Sequence, residues 1–229
     1  MAPPIPGYLE IAAKRTFAGA IDWPGWCRSG RNEDEALVAL IAYGPRYAKV
    51  VAGVAPQLEP PAASSEIEIV ERLTGNSGTD FGVPAVPPTS DRLPVNAADL
   101  ERLVGLLQAA WRAFDAAAEA AVGLELRKGP RGGGRDLDKM QPHILEAEQA
   151  YLRELGGTLP KMAGADTQTQ LAAVREVEIR ALRARAAGEE PALGLRRMRP
   201  FWTLRYFVRY SAWHALDHAW EIEDRRLRP

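Results

Sequence analysis

Apolar and polar positions along the chain change period twice, and each change marks a different kind of element. Tyr8 to Ala13 and Phe17 to Asp22 are short strand-like runs around a basic turn, followed by a Trp-Pro-Gly turn at 23 to 25. From Asn32 the spacing becomes helical. Asn32 suits a cap, Glu33 to Glu35 suit a helix N-terminus, and Leu37, Leu40, Ile41, Tyr47, Val50 and Val51 recur on one face. Glu66 to Leu73 returns to alternation, with Ile67, Ile69 and Leu73 inward against charged neighbours. The order β-β-α-β predicts a small α+β unit over residues 1 to 83.

Residues 84 to 95 carry too many prolines for a helix or a central strand and read as a linker. Beyond it every periodic segment is helical. Asn96 with Asp99 signals a cap, and Leu100, Leu103, Val104, Leu107, Trp111, Phe114 and Ala118 make one apolar stripe. A second helix is expected from about Asp138 to Leu155, with Pro142 near its first turn and Gly156-Gly157 ending it. A third opens at Thr167 with Gln170 and runs to Gly188, and a fourth runs from about Pro200 to Asp224. Four helices of this length predict an antiparallel four-helix bundle over 96 to 229, so the fold class is two-domain α+β. Gly129 to Gly134 is a glycine-rich loop. No strand precedes it and no Lys-Ser or Lys-Thr follows, so it reads as a connection, not a phosphate cradle.

Composition narrows the chemistry. At 229 residues, 46% hydrophobic, the chain can bury a substantial core, and a net charge of -1 supplies no field for nucleic acid or an anionic membrane. No apolar run approaches the roughly 20 residues of a membrane span, and Met1 to Gly7 lacks the features of a signal peptide, so a cytoplasmic protein without membrane contact is expected. Cys27 is the only cysteine, which rules out an internal disulfide and a thiolate metal site within one chain.

Histidine and carboxylate are the remaining metal ligands, and all three histidines fall on helical segments. His214 and His218, four residues apart, share one helix face with Phe207, Ser211 and Glu221. His143 lies with Ala147, Ala150 and Glu154, and Glu146 follows it by about one turn. An i, i+4 pair alone is equally consistent with two hydrogen-bonded core residues. Three inward histidines of three favour a shared divalent ion, with metal–nitrogen bonds of roughly 2.0–2.1 Å for zinc and at least one position left open. Imidazole ligation also admits nickel, iron or manganese. The arginines at 196, 197, 199, 205 and 209 read as a solvated face or as a holder for an acidic cofactor.

Two segments carry family resemblances. Phe17 to Leu40, with its Asp22-Trp-Pro-Gly25 turn followed by Asn-Glu-Asp-Glu-Ala-Leu, resembles the HicB-like antitoxin fold. Residues 134 to 151 and 209 to 225 resemble the DinB/YfiT-like family of metal-binding four-helix bundles through Gln-Pro-His143 and His214-Ala-Leu-Asp-His218. That resemblance implies a metal held by His143, His214 and His218, with Glu146, Tyr210 or Asp217 around it. It further implies an enzyme that activates a low-molecular-weight thiol such as mycothiol, bacillithiol or glutathione for transfer or isomerisation of a small-molecule substrate, and a homodimer. Two other readings stand beside it: a metal-assisted hydrolase, and a non-enzymatic binding or regulatory protein whose N-terminal unit meets a partner.

Overall fold

Strands β1 (Ile5–Ile11), β2 (Thr16–Ala20) and β3 (Cys27–Gly30) follow one another as an antiparallel meander. Helix α1 (Glu33–Val50) then crosses back, and β4 (Ile67–Thr74) pairs parallel to β1, giving the strand order β3-β2-β1-β4. The computed structural model describes residues 3–128, 134–159, 164–191 and 200–226. The unit is therefore β-β-β-α-β. β3 escapes sequence reading because Cys-Arg-Ser-Gly has no apolar alternation, and what makes it a strand is the fully buried β2 beside it. The tight turn before it is fixed from within: Trp26 stacks on Tyr47 at 5.7 Å, its indole N–H donates to the Leu40 carbonyl, and the Tyr47 hydroxyl donates to the carbonyl of Pro24. Gly25 takes φ of 95°, and a Cβ there would sit 3.0 Å from that of Ala212.

Four long helices follow: α3 (Ala97–Glu119), α4 (Leu137–Leu155), α5 (Thr167–Ala186) and α6 (Leu204–Arg225), with a short α2 (Ser77–Phe81) before them. α3 packs on α6, α6 on α4, α4 on α5 and α5 on α3. One continuous apolar core runs from Leu9 in the sheet to Ile222 in α6. None of the described helices is long and apolar enough to cross a membrane. Asn32 and Asn96 cap α1 and α3 as expected, accepting from the backbone N–H of Glu35 and Asp99. α5 is instead capped by Asp166, one residue before the expected Thr167. Pro142 lies in the second turn of α4, and the helix runs through it. Gly156, at φ of 92°, closes α4 in the left-handed conformation typical of helix ends.

The proline-rich segment is itself packed. A short 3-10 turn, Thr89–Arg92, carries a buried Asp91 whose carboxylate receives the Nε and Nη2 of Arg209 from α6, both at 2.8 Å. The same guanidinium donates to the carbonyls of Ala20 and Ile21, also at 2.8 Å. One buried cation thus joins the sheet, the connecting segment and the last helix. Arg205 donates to Asp99 and to the carbonyls of Leu93 and Pro94, so neither arginine is the free anion holder considered from sequence. Arg196, Arg197 and Arg199, and residues 129 to 133 of the glycine-rich loop, lie outside the described residues.

Between α3, α4 and α5 the interior holds a second set of charges. Arg175 binds Glu148 (3.0 Å) and Asp115 (2.8 Å) and lies over the ring of Trp111. Glu178 is fully buried and neither of its oxygens has a hydrogen-bond partner among the described residues. Burial, reinforced by the negative charge of Glu148, holds the Glu178 carboxyl well above the usual carboxylate range, and burial pushes Glu148 up to about 7 against the pull of Arg175.

Two outcomes are expected. Replacing Arg209 with Met should lower the unfolding free energy by about 3 kcal/mol in denaturant titration, because Asp91 is left buried without its counter-charge; adding Asp91→Asn should recover part of it, and a loss below about 1 kcal/mol would contradict the role given to the pair. Glu178 stays protonated in the fold while an unfolded carboxyl ionises above about pH 4.5, so the folded state binds the extra proton and its stability falls as pH rises. Glu178→Gln should therefore raise the melting temperature at pH 8, by roughly 2–4 °C per kcal/mol gained, and leave it nearly unchanged at pH 4.

Candidate metal centre

His214 and His218 come from successive turns of α6, and His143 faces them from α4. The ring centroids are 4.7 Å apart for His214 and His218, 5.1 Å for His143 and His218, and 5.2 Å for His143 and His214. One nitrogen from each ring lies within 4.8 Å of the others. The three-histidine group expected from sequence therefore assembles, and running through Pro142 does not turn His143 away.

Burial favours the neutral, donor form of His143 and His214, and a hydrogen bond orients His218. His214 and His218 are buried and His143 is half-buried. Desolvation, followed by the neighbouring cationic forms of His218 and His143, holds His214 well below the usual imidazole range. Desolvation and then Arg135 lower His143. His218 presents Nδ1 to Glu221 Oε2 at 3.0 Å, which leaves its Nε2 lone pair for a ligand. Glu221 is pinned in turn by Arg225, whose Nη1 donates to Oε1 at 2.7 Å. Burial alone would raise the Glu221 carboxyl, yet the bond from His218 and the Arg225 cation hold it below the usual range. Arg225 also donates to the carbonyls of Arg127 and Arg135, so the histidine, carboxylate and arginine form one supported chain.

This donor set fits a divalent ion. Tetrahedral bonds of about 2.0–2.1 Å would bring the ligating nitrogens to ~3.4 Å from one another, a modest closure of the geometry observed. Three neutral imidazoles would carry no charge to offset the ion and would leave it electrophilic, and His143 is the most exposed of the three.

The neighbours differ from those expected. Glu146 is exposed, close enough to influence the charge on His143. Asp217 points to the sheet, where it pairs with Arg28 at 2.8 Å. Tyr210 reaches the centre through another ring: it packs edge-on against Tyr151 at 5.1 Å, and Tyr151 lies 5.6 Å from His214. Tyr151 and Glu221 are the two neighbours that the sequence reading did not assign. Both could be found by spacing, since Glu221 follows His218 by three residues and Tyr151 lies about two turns beyond His143. Cys27 takes no part. It is buried in the sheet unit, where burial pushes its thiol up to about 12.

No protein-family model matches the chain, and comparison with curated proteins and with solved structures likewise finds no match. The protein has an N-terminal four-stranded sheet unit followed by helices that carry a three-histidine group able to hold a metal ion.

Glu221→Gln keeps the shape of the side chain but removes the charge that orients His218. It should weaken zinc affinity about 10- to 100-fold in a competition titration with a chromophoric chelator; unchanged affinity would show that the carboxylate does not support the ligand.

Proposed function

We propose that the protein is a divalent-metal-dependent enzyme in which His143, His214 and His218 hold the ion and a low-molecular-weight thiol or water is activated for transfer to a small-molecule electrophile. The observation that carries this reading is the convergence of three imidazoles from two helices, one of them oriented by a partly buried carboxylate. A bound ion supplies Lewis acidity, drawing the pKa of a coordinated thiol or water toward neutrality. The chain's own groups supply the rest. Glu221 and Arg225 fix the ring of His218, desolvation favours the unprotonated forms of His143 and His214, and the ring of Tyr151, with Tyr210 behind it, packs edge-on against His214. The resemblance of residues 134 to 151 and 209 to 225 to the DinB/YfiT-like family supports the thiol over water as co-substrate. The single cysteine cannot serve as an internal nucleophile, because it is buried and protonated.

The test uses untagged protein. Elemental analysis should find about one divalent ion per chain, and His214→Ala should remove it while the circular dichroism of the helices is retained. In the loaded protein, thiol consumption with an electrophile such as a haloarene or a maleate ester should depend on the ion and fall at least about 100-fold in the same variant. Retained stoichiometric metal in His214→Ala would defeat the assignment.

A further inference from the structure

A second site lies on the other side of α6, between that helix and strands β2 and β3. Here a cavity of about 190 Å³ is lined by Arg15, Arg28, Ser29, Asp217, Phe17 and Trp213. Its accessible lining is almost wholly polar, although Phe17 and Trp213 close it with an edge-to-face pair at 6.2 Å.

The charges on its wall do not cancel. Arg28 donates to Asp217 at 2.8 Å and rests on the ring of Tyr43 at 4.0 Å, so its guanidinium and that carboxylate neutralise one another. Arg15 has no carboxylate partner among the described residues. It uses Nη1 to donate to the Ser29 hydroxyl at 3.0 Å, while Nε is shielded from solvent and has no acceptor. Nη2 likewise makes no hydrogen bond among the described residues. The unused Nε–Nη2 edge is the side of a guanidinium that receives two oxygens of a planar carboxylate or of a phosphate in parallel bonds. Arg15 is held for this by the hairpin: it closes the β1–β2 turn, where its carbonyl accepts from the Ala12 N–H at 2.9 Å. Gly82, at φ of 116°, leaves this part of the guanidinium bare, since a Cβ there would lie in van der Waals contact with it, 3.8 Å from the guanidinium carbon.

We propose that this pocket binds a small oxyanion, the carboxylate or phosphate group of a metabolite, through the Nε–Nη2 edge of Arg15. A shielded cationic donor without an acceptor is rare in folded proteins, and an anion satisfies both its hydrogen bonds and its charge. The site is separate from the three histidines. Trp213 and Asp217 face the sheet, whereas His214 and His218, each one residue further on, face α4.

The full chain would be titrated with inorganic phosphate and, separately, with acetate, at ionic strength held constant with chloride. Two readouts are used: the nitrogen resonance of Arg15 Nε in labelled protein, and the melting temperature. The proposal expects a saturable shift of that resonance and a rise in melting temperature with one of the anions, and an apparent affinity weakened at least about tenfold in Arg15→Gln. Saturation by phosphate alone assigns a phosphoryl ligand, and saturation by acetate alone a carboxylate. An Arg15 resonance that neither anion moves, or equal affinity in folded Arg15→Gln, overturns the proposal. If Arg15→Gln does not fold, the resonance in the unaltered chain decides by itself.

Discussion

The architecture depends on the burial of one guanidinium. Arg209 leaves α6 in the middle of the protein, where a lone cation would be prohibitively costly, and it is tolerated because Asp91 and two strand-end carbonyls saturate it. Those partners come from the connecting segment and from the end of β2, so satisfying one side chain fixes three parts of the chain relative to each other. α6 is thereby committed on its sheet side. Its remaining face, with His214 and His218, is left at a defined angle to α4, and the spacing of the three imidazoles follows from that commitment.

Polar groups inside the helical part are treated in two opposite ways. Around the histidines the orienting residues are linked in series: His218 has Glu221, Glu221 has Arg225, and Arg225 has two backbone carbonyls, with only its Nη2 left without a partner among the described residues. Such a closed chain favours a single geometry. Between α3, α4 and α5, two carboxylates share one arginine, and Glu178 is left over. The first arrangement suits a ligand site, and the second stores a proton where no ligand is required. The contrast explains why the imidazoles, and not the buried acids Glu148 and Glu178, mark the candidate centre.

Much of this could be read from the sequence, and the gaps have physical causes. The helices and the caps at Asn32 and Asn96 are written in local spacing and in side chains that bond their own neighbours, so sequence reveals them. The histidine triad was legible because histidine is scarce here and i, i+4 spacing places two rings on one face. β3 was not legible, since a four-residue strand of Cys, Arg, Ser and Gly becomes one only by pairing with a buried partner. The role of Arg209 was hidden for a similar reason: its carboxylate is 118 residues away in a proline-rich stretch. Asp217 shows the converse error. Its position beside His218 suggested a shared site, but adjacent residues on a helix point about 100° apart, and Arg28 claims it from the sheet.

Arg225 sits where several demands meet. Its guanidinium grips the carbonyls of Arg127 and Arg135, which flank the connection between α3 and α4, and the same group holds the carboxylate that orients His218. The two ends of that connection are therefore moored to a common post. The cost of this economy is fragility at one place: losing that single side chain would unfasten the crossover and slacken a ligand in the same stroke.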